Sequence, residues 1–229
     1  MPTRDEPPLL AIFDHDGVLV DSLEFHQQAW IEVGRRTGLP FTPEFIHETF
    51  GMTNPTIFRK LMGDSITQAQ IDDYGDLKEA CYREAARGRI SLMAGVRGLL
   101  DALTEAGVRL AIGSSGVRAN LDLTVESCDL VGRFAAIVSL EDIRKGKPDP
   151  EVFLVAARKA GASPSHSVVF EDAPVGIEAA KAGGMLAVGV ATTRPLSALA
   201  AAGADDVVDT LERFDVASLL GRLKFARRG

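Results

Sequence analysis

Two acidic residues follow the first apolar run of this chain and could bind a divalent cation. The segment FDHDGVLVDS places Asp14 and Asp16 directly after the apolar residues 9–13. Two carboxylates this close repel each other unless a cation offsets their charge, and hard oxygen ligands in a phosphate-binding enzyme favour Mg²⁺. Taken alone, the pair is equally compatible with a polar turn before Gly17, because Asp often caps a bend. Other polar positions in the chain are needed to decide between a metal site and a polar turn.

A second apolar run ends in groups that could bind phosphate. Ser114, Ser115 and Gly116 follow residues 108–113 and precede a helical pattern. Hydroxyls and free backbone N–H groups at the start of a helix form a site for phosphate oxygens. An ordinary serine turn would have the same sequence, so this signal is also weak by itself.

The segments RKGKPDPEVF and SVVFEDAP add a cation and a second acidic pair. Lys147 precedes a helix that begins with proline, where it could reach an anion as a point charge. Glu171 and Asp172 end another apolar run and offer further metal ligands. Acid, hydroxyl, lysine and acid at four such positions are unlikely to coincide by chance, so together they predict a phosphate and metal site.

The elements that would position these residues follow from six short apolar runs separated by helical patterns. Runs this apolar are typical of strands covered on both faces. The stretches between them repeat apolar residues every three or four positions and end in glycine. An α/β fold with a doubly wound parallel sheet is therefore expected, with ligands beyond the carboxyl ends of the strands. The runs cover residues 9–13, 108–113, 134–139, 167–171, 185–190 and 205–209.

The alternation of strand and helix is interrupted after the first run. Residues 22–91 show several helical patterns and no convincing strand. We expect a helical cap domain at 22–91, inserted into a core domain formed by 1–21 and 92–229. The hinges are expected near residues 17–21 and 91–95, which carry small residues.

Composition argues against a nucleic-acid-binding, membrane or secreted protein. The 229 residues carry a formal charge of −7, and the one basic cluster is the terminal KFARRG, which argues against a nucleic-acid surface. No apolar run approaches the ~20 residues needed to cross a bilayer, and the first ten residues do not resemble a secretion signal. Two isolated cysteines suit a reducing compartment. A cytoplasmic protein, by default a monomer, is expected.

The motifs in this order resemble the haloacid dehalogenase-like superfamily, and more closely its branch of phosphosugar phosphatases and β-phosphoglucomutase-like enzymes. DHDGVLVDS resembles the first motif, Ser114 the second, Lys147 within KGKPDPEVF the third and EDAPVGIEAAKAGGM the fourth. The resemblance extends from residue 9 to about residue 190. The helical insert stands where this branch carries its cap.

The resemblance implies a role for each acid of the first motif. Asp14 would attack phosphorus and become an aspartyl phosphate. Asp16 would protonate the leaving alkoxide and later take a proton from the attacking water. Because Asp16 is present, dehalogenation is disfavoured, since a halide needs no proton.

The resemblance also implies a metal and the groups around the phosphate. Mg²⁺ would be held by Asp14, the backbone carbonyl of Asp16, Asp172 and, directly or through water, Glu171. Ser114 and Lys147 would bind the remaining phosphate oxygens, with Ser115 and Gly116 beside them.

Two histidines extend this set. HxxAW at the start of the insert resembles phosphosugar-active members, so His26 is expected on the substrate side rather than simply half-buried near Trp30. His15 lies where the family most often has an apolar residue. Packing behind the strand end is favoured for it over tuning Asp14 or the metal.

Two cap positions bear on phosphatase against mutase. β-Phosphoglucomutases carry a cap arginine that binds the second phosphate of a bisphosphate, and here Asn54 stands near that place. Arg59 lies more than a helical turn later, out of register. Loss of this contact favours release and hydrolysis of the bound ester.

Arg118, near the start of the helix after Ser114, could equally meet a substrate anion or be exposed. The expected function is a Mg²⁺-dependent phosphatase that acts on a small phosphorylated metabolite, most plausibly a sugar phosphate. A hexose phosphate mutase is the alternative, and a non-catalytic phosphate-binding protein ranks below both.

Overall fold

The computed structural model describes residues 7–50 and 52–226. Within them lies a six-stranded sheet in the order β3-β2-β1-β4-β5-β6, and every neighbouring pair is parallel. This confirms the expected parallel sheet, although the outer strands are shorter than their apolar runs. The strands are β1 (Leu10–Phe13), β2 (Arg109–Gly113), β3 (Ala136–Val138), β4 (Ser167–Glu171), β5 (Leu186–Val190) and β6 (Asp206–Val208).

The central strand β1 is apolar throughout because helices cover both faces of the sheet. On β1, Ala11 and Phe13 face one layer, whereas Leu10 and Ile12 face the other. All four are fully buried, which explains why the run does not alternate with polar residues.

Six helices of the core form the two layers. The layer against Phe13 contains α5, α6 and α10, and the layer against Ile12 contains α7, α8 and α9. The doubly wound arrangement is therefore confirmed. The helices are α5 (Val96–Glu105), α6 (Arg118–Ser127), α7 (Glu151–Lys159), α8 (Pro174–Ala182), α9 (Leu196–Ala201) and α10 (Val216–Ala226).

Four helices lie between β1 and α5, as the helical patterns predict. They are α1 (Leu23–Thr37), α2 (Pro43–Thr49), α3 (Asn54–Met62) and α4 (Gln68–Ala86), with a short 3₁₀ turn at Gly63–Ser65. A separate apolar cluster holds them together, centred on Trp30, Phe58 and Ile71. A capping box at Thr67 and Gln70 fixes the start of α4.

The two chain segments that join this insert to the core run side by side. Val20 forms a bridge with Leu92, and the Met93 N–H donates to the Leu19 carbonyl over 2.9 Å.

Two expectations concern features outside the sheet. None of the helices in the described residues combines the length and hydropathy that crossing a bilayer requires. The side chains of the basic tail, 224–229, lie outside the described part of the chain.

Candidate active site

The first acidic residue and the second acidic pair meet because their strands are neighbours. β1 and β4 pair in register, with Phe13 opposite Phe170. The Asp14 N–H continues this ladder by donating to the Phe170 carbonyl over 3.0 Å. Asp14 therefore lies opposite Glu171 at the carboxyl edge of the sheet, and Asp172 follows it.

The carboxylates of Asp14, Glu171 and Asp172 form a compact acidic cluster. All three are buried, and one oxygen of each lies within 4.8 Å of the others. Burial, followed by repulsion from Glu171 and Asp14, raises the pKa of Asp172 well above its ordinary value. Burial likewise raises the pKa of Glu171, although the charge of Lys147 partly opposes this. Three converging oxygen ligands that resist ionisation together are a donor set that fits a divalent cation such as Mg²⁺.

Lys147 lies against two members of this cluster. Its Nζ is 2.9 Å from Asp14 Oδ1 and 2.5 Å from Glu171 Oε1. Burial alone would lower the pKa of Lys147, but these two carboxylates raise it above its ordinary value. The ammonium group therefore stays charged at neutral pH and can also offset charge on a bound phosphate.

Asp16 is held away from the acidic cluster by three side chains. Its Oδ1 accepts a hydrogen bond from the Ser22 hydroxyl over 2.5 Å and lies 3.1 Å from both His26 Nε2 and His15 Nδ1. Burial raises the pKa of Asp16, but its interactions with His15 and His26 outweigh this and lower it well below its ordinary value. Asp16 thus presents a carboxylate whose geometry is set by its neighbours.

His15 is buried as expected, yet it is not simply packed against apolar residues. Its Nε2 lies 2.7 Å from the hydroxyl of Thr124 on α6, and its Nδ1 faces Asp16. Burial lowers the pKa of His15, but Asp16 and Asp14 raise it more. The imidazole therefore connects α6 to the carboxylate of Asp16.

His26 reaches the core from the first helix of the insert. Its Nε2 faces Asp16, its Nδ1 lies 2.9 Å from Lys78 Nζ, and its ring stacks on Tyr82 at 4.3 Å between centroids. Burial and the charge of Lys78 lower its pKa, although Asp16 opposes them. Neutral imidazole is therefore favoured at this position.

A buried network continues from His26 along α4. Lys78 Nζ donates to Glu79 over 2.8 Å, and Glu79 accepts from the side-chain amides of Asn54 over 2.7 Å and Asn120 over 2.6 Å. Since Asn120 lies on α6, the last bond joins the insert to the core. Asn54, one of the two predicted site residues in the insert, therefore bonds to Glu79.

The sequence did not identify Lys78, Glu79 or Asn120. A signal for Lys78 exists, because it lies seven residues after Ile71 and four before Tyr82, on the buried face of α4. A lysine at such a position requires an anionic partner.

The predicted site residues, apart from Arg118, converge on one cavity between the insert and the carboxyl edge of the sheet. Asp14, Asp16, Glu171, Asp172, Lys147, Ser114, Ser115, Gly116, His26 and Asn54 line it. Ser114 is buried, and its Oγ accepts from the Gly116 N–H over 3.0 Å.

Arg118 lies outside the cavity lining described for this chain. Its Nε donates to Asp122 over 2.7 Å on the exposed side of α6, where the i,i+4 spacing brings the two side chains together. Of the two alternatives for Arg118, the structure therefore supports the exposed one. Arg59 is also outside the lining, and it donates to Gln68 over 3.0 Å at an exposed position.

Fold and site together define a class of α/β enzymes that place an acidic cluster and a lysine beneath a helical insert. Residues 11–190 match the family described as haloacid dehalogenase-like hydrolase. The chain therefore belongs to the haloacid dehalogenase-like hydrolases, as its motifs indicated, and is an enzyme of that family.

Individual relatives have more specific functions. The chain is 30% identical over 204 residues to validoxylamine A 7'-phosphate phosphatase of Streptomyces hygroscopicus subsp. limoneus, covering 84% of this chain and 90% of that protein. It is also 30% identical over 204 residues to β-phosphoglucomutase of Bacillus subtilis, covering 86% and 87%. A crystal structure of a haloacid dehalogenase-like hydrolase from Entamoeba histolytica superposes with a TM-score of 0.85 at 26% identity, covering 94% and 99%.

Proposed function

We propose that this chain is a Mg²⁺-dependent phosphatase that hydrolyses small phosphomonoesters, in particular sugar phosphates, through an aspartyl phosphate on Asp14. The observation that carries the proposal is the contact of Lys147 with Asp14, 2.9 Å apart, inside a buried cluster of three carboxylates. The phosphatase and the phosphoglucomutase among the relatives support the choice of a phosphate ester as substrate.

In the first half of the reaction, a carboxylate oxygen of Asp14 attacks phosphorus and the bond from phosphorus to the leaving oxygen breaks. Asp16 donates a proton to that oxygen, so the product leaves as an alcohol. A dianionic ester beside Asp16 raises the pKa of its carboxyl by charge repulsion, which favours the protonated form needed here. Ser114 and Lys147 bind the phosphate oxygens while the charge shifts.

In the second half, water attacks phosphorus, the bond to Asp14 breaks and orthophosphate leaves. Asp16 takes the proton of the water, and the imidazoles that lower its pKa keep its carboxylate in the ionised form that this step requires. Asp14, Glu171 and Asp172 would hold the Mg²⁺, with the carbonyl of Asp16 completing the set. When bound, this cation offsets the repulsion between carboxylate and phosphate.

The helical insert supplies the substrate side of the site. We propose that residues 22–91 form a cap domain over a core of 1–21 and 92–229, and that His26 and Asn54 face the leaving group. The cap wall combines apolar side chains such as Trp30 with the hydroxyls of Thr49 and Thr53. This mixture suits a hydroxylated carbon skeleton.

The decisive experiment is phosphate release from a panel of sugar phosphates, phosphoglycolate and nucleotides with Mg²⁺. The expected result is orthophosphate from at least one sugar phosphate, lost by more than about 10³-fold in Asp14→Asn, as is typical for removal of a nucleophile. Chelation of Mg²⁺ should abolish release in the wild type.

Two results would contradict the proposal. Conversion of β-glucose 1-phosphate to its isomer without orthophosphate would establish the mutase alternative. Absence of turnover across the whole panel would favour the non-catalytic phosphate-binding protein.

A further inference from the structure

Three basic side chains line the cavity, and one of them has no carboxylate partner. Lys147 pairs with Asp14 and Glu171, and Lys78 pairs with Glu79 over 2.8 Å. Arg194 also lines the cavity, but makes no hydrogen bond or ion pair with any residue that the structure describes.

Arg194 is held beside the acidic cluster by a loop bonded to the core at two adjacent residues. The Thr192 hydroxyl donates to the carbonyl of Gly17 over 2.5 Å, and the Thr193 hydroxyl donates to the carboxylate of Asp172. Gly17 has φ +78°, and a Cβ there would overlap Asp172. The loop, the turn after Asp16 and the acidic cluster are therefore packed together, and the backbone of Arg194 is fixed relative to the reacting groups.

The charge of Arg194 is not needed for the phosphate that is transferred. Lys147 lies beside Asp14, and the acidic cluster would hold the proposed divalent cation there, so both charges would serve that phosphate. Arg194 is half-buried in the wall of the cavity, where its guanidinium group can pair with an anion. Since no carboxylate of the described chain pairs with Arg194, that anion would come from the ligand.

The geometry points to Arg194 as a specificity-determining residue that binds a second anionic group, a carboxylate or a phosphate, on the part of the substrate that leaves. This inference rests on the proposed phosphatase function and narrows its substrates to phosphomonoesters with a second anion. The planar guanidinium can donate two parallel hydrogen bonds to either group. The cap residues Asn54 and Thr53 provide neutral contacts, and Arg59 is directed to Gln68 instead.

Two pairs of esters, each matched except for the second anion, show whether that anion is a carboxylate or a phosphate. 3-Phosphoglycerate and glycerol 3-phosphate differ in a carboxylate, whereas fructose 1,6-bisphosphate and fructose 1-phosphate differ in a phosphate. For each pair we expect to measure the ratio of kcat/KM with and without the second anion. In the wild type, kcat/KM for at least one pair should be roughly 10- to 100-fold higher for the ester that carries the second anionic group, as expected for a hydrogen bond to a charged group.

The variants assign the preference to one side chain. Arg194→Gln should remove most of that ratio, and Arg194→Lys should retain part of it, since lysine keeps the charge without the bidentate geometry. Arg158→Gln is the matched control, because Arg158 is exposed on α7 and lies outside the cavity lining. It changes the net charge equally and should leave both ratios as in the wild type.

Binding measured without turnover separates this inference from the proposed function. The same esters are titrated by calorimetry into Asp14→Asn and into Asp14→Asn combined with Arg194→Gln. A preference for the second anion that disappears with Arg194 supports the inference even if the wild type releases no phosphate. Equal affinities within both pairs, or a preference that survives Arg194→Gln, would overturn it, whatever the turnover.

Discussion

The acidic cluster makes a prediction about stability that does not depend on knowing the substrate. Asp172→Asn removes one of three carboxylates whose oxygens lie within 4.8 Å. The amide can still accept the hydrogen bond from Thr193, so the packing of the site is conserved. We expect the variant to be more stable than the wild type without metal and less stable with it.

The magnitude follows from the charges around Asp172. At 4.8 Å and an effective dielectric of about 20, two carboxylates repel by about 3 kcal/mol. Asp172 is repelled by Asp14 and Glu171 and attracted by Lys147, so one such interaction is uncompensated. The raised pKa of Asp172 shows that protonation relieves part of this cost. A gain of about 1–2 kcal/mol is therefore expected for the metal-free variant.

With Mg²⁺ bound, the wild type should be more stable than Asp172→Asn. At about 100 times its dissociation constant, a ligand stabilises the folded state by about 2.7 kcal/mol. For a chain of 229 residues this raises the wild-type Tm by about 5–10 °C. The variant should gain far less, because one ligand has lost its charge.

The assay is thermal unfolding with chelator and with Mg²⁺ at constant ionic strength. Asp64→Asn is the control, since Asp64 is exposed in the insert and its replacement should not alter the response to Mg²⁺. A wild-type Tm that does not respond to Mg²⁺, or an equal response in wild type and Asp172→Asn, would refute the assignment of the cluster as a metal site.

Three further predictions concern the buried network around Glu79 and the packing behind the site. Burial raises the pKa of Glu79, but Lys78 and His26 lower it more, so the pKa in the folded state lies below the ordinary value of 4.5. The ionised form of Glu79 therefore stabilises the fold above pH 4.5, and this contribution is lost as the pH falls through the pKa of the folded state. Urea unfolding from about pH 6 to about pH 3 should therefore show a smaller loss of stability in Glu79→Gln than in the wild type or in the exposed control Glu178→Gln; equal slopes would contradict this. Tyr82→Phe should unfold at the same or a higher urea concentration, because the buried Tyr82 hydroxyl has no hydrogen-bond partner among the described residues; a loss above about 1 kcal/mol would show a missing partner. Gly176→Ala should lower stability by about 1–3 kcal/mol, because a Cβ there overlaps the Glu171 carboxylate, and a neutral result in chemical unfolding would rule out that close packing.

The sheet and the reacting groups could be predicted from the sequence because both depend on local pattern. A strand buried on both faces is a continuous apolar run, and polar residues directly after such a run must lie at the carboxyl edge. This is sufficient to bring Asp14, Ser114 and Glu171 to one cavity.

The buried network of Lys78, Glu79 and Asn120 could not be predicted in the same way. Glu79 and Asn120 are 41 positions apart and belong to helices that meet only in the folded chain. Helical periodicity shows which face of α4 is buried, but it does not show which residue of another helix lies opposite. The same limit applies to Arg194, which stands in a loop without periodicity. For Arg118 a local signal did exist, because Asp122 stands four residues later on the same helix and can pair with it.

The pairing of the two connecting segments restricts how the insert can move. Because Val20 and Leu92 form a β-bridge, the two segments that connect the insert to the core are paired with each other rather than independent. A rotation of the insert about these paired segments that admits substrate would separate His26 from Asp16 and Glu79 from Asn120 in the same movement. Entry to the cavity and the pKa of Asp16 would then change together, because the contact with His26 that lowers this pKa exists only while the insert lies against the core.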